Sequence, residues 1–167
     1  MRAPYPLRPF LVADTPRLQD LFAQSIEELT AEDYDEDQRL AWISRAADGE
    51  AFAQRLSRAL TLIVEVDGEI LGFASLADGK EIDMLYVHPY AAGTGVGATL
   101  VDALERIAAA RGAAALTVDA SDTAVDFFER CGYAALNRNS IRIDDVWVSN
   151  TTMSKQLVDA DKEKSGS

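Results

Sequence analysis

The sequence predicts an α+β domain, one mixed and mostly antiparallel sheet flanked by helices, and three observations carry that expectation. The runs ALTLIVEV (59–66), EILGFASLA (69–77) and KEIDMLYV (80–87) are rich in strand formers and are joined by Asp67-Gly68 and Asp78-Gly79. Asp-Gly suits a two-residue hairpin turn, so the three runs read as an antiparallel meander. Helical periodicity brackets the meander on both sides. The length of 167 residues, with 48% apolar and 26% charged, fits one globular domain. That domain is expected over residues 1–157, with 158–167 (VDADKEKSGS) as a polar, flexible tail.

Residues 7–13, LRPFLVA, read as a first strand, and Thr15 with Pro16 then supplies an N-cap and a first-turn proline. Leu18, Leu21, Phe22, Ile26 and Leu29 recur at helical spacing, so a helix is expected to about Leu29. The stretch TAEDYDED (30–37) crowds five acids around Tyr34, and Leu40, Trp42, Ile43 and Ala46 indicate a second helix, broken around Asp48 and Gly49. After the meander, AAGTGVG (91–97) forms a glycine-rich turn, and Leu100, Leu104 and Ile107 share one face of a helix that stops at Arg111 and Gly112. AALTVDA (114–120) reads as a strand and SDTAVDFFERCGY (121–133) as a short helix capped by Ser121 or Asp122 and ended by Gly132. Two last strands are expected near Tyr133 to Ile141 and Val146 to Ser154. The order is strand, two helices, meander, helix, strand, helix, two strands.

Composition excludes several functions. Sixteen Lys plus Arg against 28 Asp plus Glu give a net charge of −12, a field that repels nucleic acid and anionic membrane surfaces. With one cysteine, Cys131, and one histidine, His88, the chain can build neither an intramolecular disulfide nor a Cys/His zinc site, and no metal is expected. Prolines interrupt the N-terminus, MRAPYPLRPFLVAD, where a signal peptide needs an apolar run, and nowhere are there 18 consecutive apolar residues. A cytoplasmic location fits these features.

The segment MLYVHPYAAGTGVGATL (84–100) carries the sharpest chemical signal. A strand ends near Val87, Pro89 stops its ladder, and Gly93, Gly95 and Gly97 lead into a helix. Alternating glycines let the chain turn tightly, and the unpaired N–H groups of the first helical turn then converge, with the positive end of the helix dipole behind them. Such a turn can hold a phosphate or pyrophosphate by backbone alone. It is not a P-loop, because Ala98 and Thr99 follow Gly97 and the required lysine is missing. A dinucleotide fingerprint fits poorly as well, because HPYAA (88–92) separates strand from glycines and an antiparallel meander precedes them.

The block VHPYAAGTGVG (87–97) resembles the signature of the GNAT superfamily of acyl-CoA-dependent N-acyltransferases: a strand, a proline, Arg or Gln, then Gly, any residue, Gly, any residue, Gly or Ala. SDTAVDFFERCGY (121–133) is similar to the family's second signature, Asn, two residues, Ala, two residues, an apolar residue, Tyr, Glu, Lys or Arg, any residue, Gly, Phe. Both blocks stand in the family's order, and from Pro9 to Leu157 the expected elements follow it. The second block, with WVSNTTMSKQL (147–157) behind it, looks most like a YafP-like bacterial branch. The resemblance implies acetyl-CoA as cosubstrate. It would be held by backbone around Leu85, Tyr86 and Val87, by the turn Ala92, Gly93, Thr94, Gly95, Val96, Gly97 and Ala98, and by Ser121, Phe127 and Phe128. Three positions depart from the pattern: Ala92 replaces Arg or Gln, Ser121 replaces Asn, and Phe128 replaces a Tyr that often protonates the CoA thiolate. Since a thiol has a pKa near about 8.5, that acid helps the leaving group without being indispensable.

Transfer to an amine needs a neutral nucleophile. An amine of pKa about 10.4 is neutral in roughly one molecule per thousand near pH 7.4, a deficit of about 4 kcal/mol that a base or a desolvating pocket must offset. Alternation along EIDMLYV (81–87) places Glu81, Asp83, Leu85 and Val87 on one face and Ile82, Met84 and Tyr86 on the other. Asp83, then Glu81, are the candidate bases, directly or through water; solvated strand acids are the plain alternative. By resemblance, the broken ladder of this strand opens a slot for the pantetheine arm, and an N–H near Leu85 to Val87 polarises the thioester oxygen. His88, before Pro89 at a strand exit, reads as a turn residue, and Cys131 lacks a separate histidine partner. The expected activity is N-acetyl transfer to an amine-bearing small molecule or peptide, with a homodimer left open. The reading from another class is a non-catalytic acyl-CoA sensor on the same fold. The acids between Glu27 and Asp37 would favour a cationic acceptor in long-range encounter.

Overall fold

The computed structural model describes residues 5–157, so the expected tail lies outside the described residues. Seven strands form one sheet in the order β1-β2-β3-β4-β5-β7-β6. The elements are β1 (Leu7–Pro9), α1 (Thr15–Leu29), α2 (Glu36–Ile43), α3 (Gly49–Arg58), β2 (Leu60–Val66), β3 (Glu69–Ala77), β4 (Glu81–Val87), α4 (Val96–Ala110), β5 (Ala115–Ser121), α5 (Val125–Arg130), β6 (Ala134–Ile143) and β7 (Val146–Gln156). All neighbouring pairs are antiparallel except β4 with β5, which is parallel. The expected mixed α+β sheet is the observed one. Asp67 and Asp78 take φ of 54° at the two Asp-Gly turns, the left-handed conformation such hairpins need.

Three local expectations are corrected. The first strand stops at Pro9, because Asp14 bends the chain into a 3-10 turn over Val12–Asp14 by accepting the Leu11 N–H at 2.8 Å. Thr15 is consequently the first residue of α1, with Asp14 at the cap, while Pro16 keeps its first-turn place. Asp48 does not merely break a helix; its carboxylate accepts the Ala51 N–H at 3.1 Å and starts α3, a third helix before the meander. Phe52 and Leu56, one turn apart and buried, were its signal in the sequence.

Helices cover both faces of the sheet. On one face α4 and α5 bury Val96, Leu100, Leu104, Ala108 and Phe128 against Ala74, Leu76, Ile82 and Leu116. On the other, α1 and α3 bury Leu18, Phe22, Ile26, Phe52 and Leu56 against Ile63, Phe73 and Met84. A smaller cluster seats α2 on the β6–β7 hairpin through Tyr34, Ala41, Ile143 and Val148. Strand β4 sits at the centre and carries a bulge: Ser75 pairs with Met84 but Leu76 with Ile82, leaving Asp83 as the extra residue. The strict alternation expected along β4 is thereby broken. Ile82, Leu85 and Val87 pack on the α4 face, and Met84 and Tyr86 on the α1 face.

The edge strand β1 is fastened by charge. Arg8 donates to both carboxylate oxygens of Asp14 at 2.8 Å and from Nε to Glu65 at 2.7 Å. The guanidinium holds the buried Asp14 carboxyl below its ordinary range, with the Leu11 N–H adding to the effect. A carboxylate whose folded pKa is depressed stabilises the fold fully above its unfolded value, near about 3.9, and loses that contribution as pH falls further. Arg8→Met should therefore cost about 2 kcal/mol, or roughly 4 to 8 °C in Tm. The gap to the parent should be constant from about pH 5 to 8 and begin to close below about pH 4. Thermal melts across pH check this; an equally wide gap at pH 3 would assign the loss to Arg8 packing instead.

Candidate active site

After β4 the chain runs through a 3-10 turn, Pro89–Ala91, and reaches Gly95, which stands at the N-cap of α4 with φ of 98°. A side chain there would be strained, so glycine is what allows α4 to begin so abruptly. Thr99 N–H bonds to Gly95 O at 3.0 Å, so the amides before Thr99 have no partner within the helix, and of these Gly97 and Ala98 belong to residues that line the cleft. Ala92, Gly93, Gly95, Gly97 and Ala98 all line one cleft. Thr94 and Val96, from the same expected set, do not: Thr94 carbonyl accepts the Tyr5 hydroxyl at 3.2 Å, and Val96 is wholly buried in the core.

The cleft, of about 500 Å³, exists because β4 and β5 part company. They pair only at Glu81 with Thr117 and Ile82 with Val118, and beyond that the two strands diverge. Leu85, Tyr86 and Val87 form one wall and Val118 to Ser121 the other. His88 N–H bonds to Leu71 O of β3 at 2.8 Å, so by the two-residue alternation of a strand Tyr86 N–H also faces β3, and the amides of Leu85 and Val87 face the cleft. Phe127 closes the side toward α5, its ring so near Gly97 that a Cβ there would approach within 3.2 Å. Phe128 also lines the cleft but is nearly fully buried, edge-on to Phe127 and Tyr133 at 5.1 and 5.3 Å. Ser121 ends β5 and accepts the Ala124 N–H at 3.2 Å, fixing the start of α5.

A second cavity, of about 170 Å³, opens on the α1–α3 side and shares Trp42, Ile82, Asp83, Met84, Tyr86, Asp119 and Ser121 with the first. Glu81 and Asp83 both line it. Contrary to the expected alternation, they do not share this face with Leu85 and Val87; the bulge at Asp83 sends those two to the opposite side. Asp83 is engaged: Arg55 of α3 donates to both of its oxygens at 2.8 Å. Glu81 is half-buried, and burial together with Asp119, Asp83 and Asp78 pushes its carboxyl up from the ordinary range, with Arg55 opposing. Tyr86 hydroxyl accepts the Trp42 Nε1–H at 3.1 Å, and burial pushes its pKa up to about 12.

Arg55, Trp42 and Tyr34 are site residues that sequence reasoning did not single out. Arg55 belongs to α3, whose start at Asp48-Gly49 carries the same sequence signal as a helix end. Tyr34 hydroxyl donates to Ser149 O at 2.6 Å and accepts the Asp122 N–H at 2.8 Å, tying the α1–α2 connection to β7 and to the turn before α5. Its acid-rich surroundings masked the one buried ring among them. His88 behaves as a turn residue: Nδ1 accepts the Tyr90 N–H at 3.2 Å and the two rings stack at 5.2 Å. Burial and Glu105 push the Cys131 thiol up, away from a reactive thiolate. Among the described residues no group of three or more His, Cys, Asp or Glu is placed to hold a metal ion, and no helix is long and apolar enough to cross a membrane.

Comparison with known proteins gives this geometry its context. A crystal structure of a GCN5-related N-acetyltransferase ("Aminotransferase, Class-II") from Rhodopseudomonas palustris superposes with a TM-score of 0.92 at 52% identity, covering 94% of this chain and 98% of the other. The "Uncharacterized N-acetyltransferase YafP" of Escherichia coli K12 is 26% identical over 147 residues, 88% of this chain and 93% of that one. PaiA N-acetyltransferase from Thermoplasma acidophilum, solved in complex with coenzyme A, shares the fold at 20% identity, with a TM-score of 0.75 and coverage of 92% and 99%. A family model described as an acetyltransferase (GNAT) domain matches residues 30–157. That match runs unbroken from the Tyr34 connection through the glycine turn and the parted strands to the end of β7, and on it the chain belongs to the GNAT family of acetyltransferases.

Proposed function

We propose that this chain moves an acetyl group from acetyl-CoA to an amine acceptor by direct attack within a ternary complex. One observation carries the reading: the cleft runs through the gap between β4 and β5 from the start of α4 to Ser25, Ile26, Leu29 and Thr30 on the α1 side, and the second cavity joins it beside Asp83 and Asp119, where β4 leaves β5. Two substrates, one in each cavity, would touch there. The residues present fit the cosubstrate. Amides at the start of α4 offer a pyrophosphate site that needs no basic cluster, in keeping with a net charge of −12. From there an apolar slot between Val87 and Phe127 leads to the free amides of Leu85 and Val87, donors suited to a thioester oxygen as charge develops on it. Coenzyme A in the Thermoplasma structure and acetyl-CoA in an acetyltransferase from Salmonella typhimurium agree with this choice.

In the proposed step the acceptor nitrogen attacks the thioester carbon, the C–N bond forms, the C–S bond breaks and the thiolate leaves. The proton lost by the amine passes to a carboxylate, directly or through water. Between the two expected acids the geometry favours Glu81. Both oxygens of Asp83 are occupied by Arg55, whereas Glu81 has a raised pKa and so a greater affinity for the proton. Asp83 then serves to hold Arg55 and the bulge in place. Phe128 has no proton to give, and thiolate departure relies on the modest basicity of a thiol near about pKa 8.5.

Gly95→Val should abolish acetyl-CoA binding in calorimetry while far-ultraviolet circular dichroism stays close to the parent's, since the strain is confined to the helix start. Unchanged affinity would remove the turn from the site. Glu81→Gln should lower kcat by about 10²-fold or more with little change in the KM for acetyl-CoA, and Asp83→Asn by less. A base works only when deprotonated, so kcat of the parent should fall as pH drops through the Glu81 pKa, above the ordinary carboxylate range. That acid limb should vanish in Glu81→Gln, and its persistence would place the base elsewhere. A sensor on the same fold would bind acetyl-CoA yet release no thiol in response to any amine.

A further inference from the structure

We infer that the acceptor is a small arylalkylamine, one aromatic ring on a short chain ending in a single primary ammonium, and that the second cavity selects it. The inference rests on the transferase reading and deepens it. Size argues first: the cavity holds about 170 Å³, and an apolar cavity of about 150 Å³ suffices for benzene. One ring with a two-carbon tail fits that volume.

The walls argue second. Trp42 and Tyr34 stand edge to face at 5.4 Å, Phe22 and Tyr86 lie tilted to each other at 4.5 Å, and the β6–β7 hairpin supplies Ile141 and Val148 opposite. Rings so arranged take up another ring and tolerate a cation near their faces. Charge argues third. Among the described residues Glu81, Asp83 and Asp119 line the cavity against Arg45 and Arg55, an excess of one negative charge. Arg55 is spent on Asp83, and Asp119 accepts from Thr152 Oγ1 at 2.6 Å, so the excess lies along β4 and β5, beside the junction with the cleft. An ammonium placed there is neutralised once and stands next to the proposed base. The ring then fills the apolar end under α2.

The test compares phenethylamine, spermidine and a short peptide with a free α-amino group, reading thiol release as kcat/KM. Phenethylamine should exceed the others by at least about tenfold; equal or better rates with spermidine or peptide would overturn the inference. Ile141→Trp narrows the cavity from a half-exposed position and should cut kcat/KM for phenethylamine by about tenfold or more, with the acetyl-CoA Kd unchanged. Asp119→Asn keeps the acceptor for Thr152 and should weaken calorimetric binding of phenethylamine several-fold while sparing 2-phenylethanol, its neutral counterpart. Equal effects on both ligands would overturn the charge argument. If acetyl-CoA binds and no amine releases thiol, the transferase reading fails; the calorimetric arm still decides the cavity, because phenethylamine binding that Ile141→Trp leaves untouched places the ring elsewhere.

Discussion

Two residue pairs hold β4 to β5, and the rest of the molecule is organised around the fact that there are no more. A parallel pair that continued past Ile82 and Val118 to the end of β5 would take up the amide of Leu85 and close the cleft. The bulge at Asp83 adds local twist at the point of departure and re-aims the side chains that follow. Divergence leaves exposed backbone in the middle of a sheet, a costly arrangement unless something else restrains the strands. Those restraints are visible. β3 pairs with β4 as far as Val87, β7 pairs with β5 as far as Ser121, and α4 and α1 pack across the two faces. The gap is rigid because its edges are paired on their far sides.

Electrostatics follow the same division of labour between backbone and side chain. A chain of net charge −12 offers little to an anion in bulk, yet the start of α4 presents aligned amides and a dipole at one end of the cleft. Several of the acidic residues that create the net charge are employed elsewhere. Asp35 and Asp48 cap α2 and α3, Asp33 accepts from Thr123 Oγ1 at 2.7 Å, and Asp122 pairs with Arg138. On the other side of β4, carboxylates outnumber guanidiniums by one. Under the proposed function, the two faces of a single strand therefore meet opposite charges, a phosphate-bearing cosubstrate at one end and an ammonium at the other.

The pairing of Arg55 with Asp83 shows how one long-range contact redistributes chemistry among residues that look alike in the sequence. Both acids of β4 face the same cavity, but only one has a guanidinium across both oxygens. Both oxygens of that carboxylate are taken up by the guanidinium, while its neighbour, crowded by like charges and half-buried, is pushed toward a higher affinity for the proton. Tyr34 plays the corresponding part for shape. Its hydroxyl sits between Ser149 and Asp122 and keeps the α1–α2 connection against β7, which makes Trp42 a wall of the cavity.

What the sequence determined by itself was local. Asp67-Gly68 and Asp78-Gly79 announced the meander because only a few residues accept a left-handed turn, and the helical spacing in α1 and α4 showed which faces would be buried. Gly93, Gly95 and Gly97 marked the amide-lined turn, since an abrupt helix start needs residues without Cβ. The position of α3 went unread because Asp48-Gly49 is the same signal for a helix end and for a helix cap. Only the tertiary structure decided which amides of β4 are free, which acid is engaged and how large the second cavity is. Each of these depends on an element distant in sequence, β5, α3 or the β6–β7 hairpin, and on a bulge that shifts side chains by one position. A two-residue periodicity contains no information about where it will be interrupted, so the face of β4 that carries the site could be known only once its neighbours were in place.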